Sequence, residues 1–263
     1  MKIPFTKYQA VGNDYVYIGC LSGEEYDFPP LTVKISERRK GIGSDGAIFI
    51  CPSSVADVKM IMFNADGSEG KTCGNALRCV ADYLITNKIV DKNDIFVETP
   101  SGVRKVTAIG KEMYSVDMGV CSTLYPPFDY PLIVDDRVFL INAVSVGNPH
   151  CVIFDIPDDY RKIGKAIENN ELFPEKTNVE FVKASKNHLS CVVWERGTGE
   201  TLSCGSGACA VGFAMVKKEF FDKNEWMTIY MRGGELSVMI TDENKAVLKG
   251  AVKKVFTGVY EQD

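Results

Sequence analysis

Hydrophobic and polar residues alternate in short runs along most of this chain, and two longer apolar segments interrupt that rhythm. The alternation predicts strands over residues 5–19, 47–51, 58–63, 95–99, 102–109 and 113–118. The first of these is broken at Gly12-Asn13-Asp14 by a turn signal. A second series of strands is predicted over 138–146, 151–154, 178–182, 188–194, 226–231, 235–241, 246–249 and 252–259. Helical spacing marks 31–39 and 159–169, and the longer apolar segments 76–85 and 208–216 read as helices. A glycine-dense loop covers 40–46, and three prolines within 123–131 predict a hinge there, since proline neither continues a helix nor donates to a ladder.

The two series resemble each other. Cys73 and Cys204 share one offset with Glu69 and Glu200, and Gly12-Asn13 and Gly147-Asn148 stand nearly the same distance apart. A repeat this long is no solenoid, whose periods run to about 20–50 residues. It implies a duplicated α/β (α+β) fold: two pseudo-symmetric domains, each a curved, mostly antiparallel sheet around a central helix, with the active site in the cleft between them. The expected halves are 1–122 plus 250–263, and 123–249. Ligand sites favour such domain interfaces.

Composition narrows the classes. The chain has 263 residues, 45% hydrophobic and 25% charged, ordinary values for a soluble protein with a sizeable core. A net charge of −5 argues against nucleic-acid binding, and the basic clusters at 38–40 and 217–218 read as solvated faces. No apolar run reaches the roughly 18 residues of a membrane span, and the start shows no export signal, so the expected location is cytoplasmic. Nine cysteines, an odd number in a chain of this size, argue against a disulfide framework. Cys20, Cys51, Cys121, Cys151 and Cys191 lie in or end apolar runs and read as buried hydrophobes. The spacings Cys73–Cys79 and Cys204–Cys209 are not those of a zinc site, and each second cysteine falls on another helix face, in the core.

What remains is chemistry at two stations. In SEGKTCGNALRC and GETLSCGSGAC, a cysteine (Cys73, Cys204) precedes glycine and a small or amide residue (Gly74-Asn75, Gly205-Ser206), and a helix follows. Unpaired N–H groups and the helix dipole there favour thiolate over thiol, and can hold a carboxylate beside the sulfur. Two thiols on opposite faces of an α-carbon are what cofactor-free stereoinversion needs: a base removes the hydrogen on one side and an acid returns a proton on the other. Asn13, Asn64, Asn148 and Asn178 sit at turns or strand ends, where they either close the turn locally or grip substrate. Glu195-Arg196 ends a strand before the second station and suits an ammonium and a carboxylate. His150 either tunes a thiol or is a hydrogen-bonded structural histidine.

The segments VGNDY (11–15), ERRKGIGSDG (37–46), FNADGSE (63–69), CGNALRC (73–79), GNPHCV (147–152), TNVEFV (177–182) and ERGTGETLSCGSGACA (195–210) closely resemble the diaminopimelate epimerase family. The resemblance implies interconversion of LL- and meso-diaminopimelate in lysine and cell-wall precursor synthesis, with neither cofactor nor metal, by a protein that is commonly a homodimer. It implies Cys73 and Cys204 as acid/base thiols, with Gly74, Asn75, Gly205 and Ser206 holding the α-carboxylate. Asn13, Asn64, Asn148, Asn178, Glu195 and Arg196 are then substrate-binding, and His150 and Glu195 adjust the thiols. Many members carry glutamine where this chain has Gly46, which removes a side-chain contact. Proline racemase-like enzymes also use two cysteines, but Arg196 and four asparagines favour a substrate with a second charged group. A thiol redox sensor is the alternative from another class, distinguished by the absence of α-hydrogen exchange.

Overall fold

The computed structural model describes residues 1–70, 72–185 and 188–262. The chain forms two compact units, 1–116 with 250–263 and 117–249, and the proline-rich stretch 123–131 lies within the second. In chain order the first series is β1 (Lys2–Ala10), β2 (Asn13–Gly19), α1 (Phe28–Ser36), β3 (Gly46–Cys51), β4 (Val58–Asn64), β5 (Glu69–Gly70), α2 (Gly74–Thr86), β6 (Asp94–Thr99), β7 (Gly102–Gly110) and β8 (Met113–Val120). The second is β9 (Ser122–Thr123), β10 (Tyr130–Val134), β11 (Arg137–Ser145), β12 (Pro149–Ile153), α3 (Tyr160–Glu168), β13 (Asn178–Ser185), β14 (His188–Glu195), β15 (Gly199–Thr201), α4 (Gly205–Lys217), β16 (Trp226–Met231), β17 (Gly234–Ile240), β18 (Lys245–Ala251) and β19 (Lys253–Glu261).

In the first unit the strands lie side by side as β19-β1-β2-β3-β4-β6-β7-β8, parallel only at β2–β3 and β4–β6. In the second they run β10-β11-β12-β13-β14-β16-β17-β18, parallel only at β12–β13 and β14–β16. The helices fall at matching points, one inside each parallel crossover. The same architecture is therefore built twice, as the offsets in the sequence imply.

Each long helix is a core element. Ten of the thirteen residues of α2 are buried, polar Asn75, Arg78 and Asp82 among them, and ten of thirteen in the almost wholly apolar α4. Strands β1 and β7, several places apart in hydrogen-bonding order, both touch α2, and β11 and β17 both touch α4. Each sheet therefore curls around its helix. The shorter helices cover the outer faces. Leu31 and Ile35 of α1 pack with Phe49 and Phe63, and Ile163 and Ile167 of α3 pack with Phe181 and Phe139. Each such fully buried side chain contributes about 1.5–3 kcal/mol.

Several boundaries differ from the sequence reading. The helix expected over 31–39 spans Phe28–Ser36, with Pro29 and Pro30 in its first turn, where a missing N–H costs nothing. The run 5–19 is two antiparallel strands turning at Val11-Gly12, both at positive φ. Strand β10 falls partly in the proline-rich stretch. Pro131 is accommodated because β10 is paired on one side only, to β11, among the described residues.

Candidate active site

Both cysteine stations are built the same way. A strand turns back through a two- or three-residue strand, β5 beside β4 and β15 beside β14, and the chain then enters the buried helix. Cys73 is the N-cap of α2 and Cys204 the N-cap of α4, with φ/ψ of −133°/115° and −130°/117°. Their sulfurs take the place of the usual capping oxygen. The N–H of Ala76 donates to Cys73 Sγ at 3.5 Å, and the N–H of Gly207 donates to Cys204 Sγ at 3.3 Å. Ser206 Oγ lies 3.4 Å from Cys204 Sγ.

In the first unit the Cys73 thiol donates to Asn13 Oδ1 at 3.5 Å. Asn13 is held by Asp45, whose Oδ2 accepts from Asn13 Nδ2 at 2.9 Å and from the Asp14 N–H at 3.0 Å. Asp14 pairs with Lys7 and Arg38. Burial works the other way, yet hydrogen bonds from Arg38 and Lys7 hold the Asp14 carboxyl below the usual carboxylate range. Asn75 is buried, and its Oδ1 accepts from Arg78 at 2.8 Å. Asn64 ends β4, donates to Ser68 Oγ at 3.0 Å and pairs in register with Gly46. A Cβ on Gly46 would lie 2.0 Å from the Phe63 carbonyl oxygen. A larger side chain therefore does not fit this backbone, and the glycine serves the β3–β4 approach.

The second unit gathers a denser cluster. His150 on β12 and Glu180 on β13 are both fully buried, with Nδ1 and Oε1 2.7 Å apart. His150 Nε2 lies 3.1 Å from Asn148 Oδ1. Glu195, at the end of β14, accepts from the Thr201 hydroxyl at 2.5 Å, and its charge acts on Cys204. Asn178 donates to the Pro149 carbonyl and accepts from the N–H of Arg196 at 3.0 Å. The guanidinium of Arg196 donates to the Glu175 carbonyl at 2.9 Å. The turn after Glu195 uses Gly197 at φ +77°, where a side chain would be strained.

The electrostatics of Cys204 are set by what encloses it in the fold. Placement at a helix start favours thiolate, and Ser206 and the Gly207 N–H do pull that way. Burial first, then the charges of Glu195 and Glu180, outweigh them and push the Cys204 thiol well above its ordinary value. Burial likewise raises Glu195, against the pull of Thr201, His150 and Cys204. Cys204 is thus a thiol at neutral pH, suited to donate a proton.

Two contributors were not singled out in the sequence. Glu180 lies among buried Val179, Phe181 and Val182, and a lone carboxylate inside an apolar strand is the signal that marks it. Glu168 accepts from Trp194 Nε1 at 2.7 Å and from the Gly197 N–H at 2.8 Å, tying α3 to the turn that carries Arg196. Nothing local announces that contact. Among the described residues, no three or more His, Cys, Asp or Glu side chains are grouped to hold a metal ion, and no helix is long and apolar enough to cross a membrane.

Residues 5–124 and 142–255 match the family model described as diaminopimelate epimerase. The diaminopimelate epimerase of Bacillus cytotoxicus is 39% identical over 280 residues, covering 98% of this chain and 96% of that protein. That of Bacillus cereus strain ATCC 14579 is 36% identical with the same coverage. The Bacillus anthracis phenazine biosynthesis protein of the PhzF family is similar in structure, with a TM-score of 0.76, 17% identity and all of both chains covered. A probable proline racemase from Agrobacterium radiobacter K84, with bound carbonate, gives a TM-score of 0.73 at 14% identity, covering 99% of this chain and 93% of that one. At these identities the two structures speak for the fold alone.

Proposed function

The chain belongs to the diaminopimelate epimerase family, and on that premise we propose that it interconverts LL- and meso-2,6-diaminopimelate, Cys73 and Cys204 exchanging the proton at one α-carbon. The observation that carries this reading is the repetition of one device. Each unit presents a cysteine as the N-cap of a buried helix, with nearly identical backbone angles and an N–H donated to the sulfur.

The α-hydrogen of an amino acid is a weak acid, so the carbanion needs help. N–H groups at Gly74, Asn75, Gly205 and Ser206, with the positive helix ends, would stabilise the charge that builds on the α-carboxylate. One sulfur leaves as thiol with the abstracted proton, and the other delivers its own proton to the opposite face. Cys204, protonated at rest, is the acid for the isomer that Cys73 deprotonates, and the roles exchange in reverse. Glu195, whose charge acts on Cys204, and His150 adjust when that sulfur ionises. Asn13, Asn64, Asn148, Asn178, Glu195 and Arg196 recognise the distal amino-acid group, Arg196 exchanging its carbonyl partner for a carboxylate. Among the described residues Cys20, Cys51, Cys79, Cys121, Cys151, Cys191 and Cys204 form no disulfide, which suits a reducing cytoplasm. Exposed Val255, Phe256 and Val259 on β19 suit an assembled homodimer, measurable by sedimentation.

Purified protein given LL-diaminopimelate in deuterated water should place deuterium at one α-carbon and form the meso isomer, with proline and glutamate inert. Cys73→Ala and Cys204→Ala should each abolish inversion while leaving the circular dichroism spectrum unchanged. Inversion persisting in either variant would refute the two-thiol scheme.

A further inference from the structure

Glu180 is buried where a carboxylate is costly. It lies within β13 between apolar neighbours, fully enclosed, and its Oε2 has no hydrogen-bond partner among the described residues. Burying a carboxylate with one oxygen unpartnered costs free energy, so packing alone does not account for it. Its Oε1 has two neighbours. One is His150 Nδ1 at 2.7 Å. The other is the first turn of α4, where a Cβ on Gly207 would approach within 2.6 Å of Oε1. Gly207 is the residue whose N–H donates to Cys204 Sγ.

Glu180 Oε1 sets what His150 Nδ1 carries. A carboxylate cannot donate, so the nitrogen facing Glu180 carries the proton. Because β12 and β13 are parallel neighbours with His150 in register with Asn178, the ring is anchored by backbone as well. We propose that Glu180 is a positioning residue, which takes the Nδ1–H of His150 and so fixes the ring's orientation, with Nε2 directed toward Asn148. Asn148 is then oriented for substrate, and the imidazole is held at the distance from which it acts on Glu195 beside Cys204. A carboxylate behind a histidine orients the ring in the same way in other sites. This inference rests on the epimerase reading for its catalytic consequence, but not for its structural content.

The test uses the full chain, which has two histidines, so a His188→Gln variant assigns the side-chain nitrogen spectrum. Wild-type protein should show a low-field, exchange-protected proton on His150 Nδ1. Glu180→Leu should lose that signal and denature at a lower urea concentration, because the buried Nδ1–H is left without its acceptor, and its α-hydrogen exchange rate, read where the variant is folded, should fall about 10- to 100-fold, the worth of one charge-assisted hydrogen bond. Glu180→Gln keeps an acceptor of the same shape. It should retain the proton at higher field with part of the activity, and it stands as the test variant if the leucine protein does not fold. A wild-type protein protonated only at His150 Nε2 would overturn the proposal. So would an exchange rate unchanged after the Nδ1 proton is lost or shifted. If wild-type protein exchanges no α-hydrogen at all, the epimerase reading fails while the nitrogen spectrum still decides the pairing.

Discussion

Gly207→Ala probes the joint between the Cys204 helix and the carboxylate behind it. The glycine has ordinary helical backbone in α4, so alanine brings no backbone strain and gains about 1 kcal/mol of helix propensity. Its methyl, however, would lie 2.6 Å from Glu180 Oε1 and 3.2 Å from both Glu180 Cδ and Cys204 Cβ. Relieving the first contact moves the oxygen by roughly 0.7 Å, and a 2.7 Å bond to His150 stretched by that amount leaves hydrogen-bonding range. Overpacking of this kind costs about 1–3 kcal/mol. Set against the propensity gain, net destabilisation should be about 0–2 kcal/mol. The lost charge-assisted bond should slow turnover about 10- to 100-fold. Urea denaturation gives the first quantity, and deuterium exchange at the α-carbon gives the second. An alanine variant with wild-type exchange and a midpoint unmoved would show that Glu180 relaxes freely, and the argument from tight packing would be wrong.

The remaining predictions concern the same unit. Burial and then Glu195 raise the Cys204 thiol, so its alkylation by iodoacetamide should be slow at neutral pH and accelerate as pH rises. Glu195→Gln removes the neighbouring charge, shifts that profile to lower pH and speeds labelling at a given pH; an unmoved profile, read by peptide mapping, would contradict the assignment. Glu168→Gln puts an amide N–H against either Trp194 Nε1 or the Gly197 N–H, both of which now donate to the carboxylate. It should cost about 1–3 kcal/mol and raise KM more than it lowers kcat, since the turn it anchors carries Arg196. A lowered kcat with unchanged KM would place Glu168 elsewhere in the mechanism.

Local chemistry made the two stations legible. Turn residues, a cysteine, a glycine and an apolar helix lie within a dozen positions, and helix capping depends on groups three residues apart. Recurrence of that pattern at one offset disclosed the duplication before any strand pairing was known. Other features required the chain to come together. Short strands β5 and β15 exist only because β4 and β14 lend them hydrogen-bonding partners, and no period shows in two or three residues. The pairing of His150 with Glu180 joins residues thirty positions apart through a parallel crossover, and Glu168 reaches Gly197 across a similar gap. The protonation of Cys204 depends on the fold for the same reason. A helix dipole can be inferred from neighbours in sequence, whereas desolvation and the fields of Glu195 and Glu180 depend on what encloses the sulfur. The sequence determined which atoms could carry a proton. Folding decided, through burial and the company of distant carboxylates, which of them holds it.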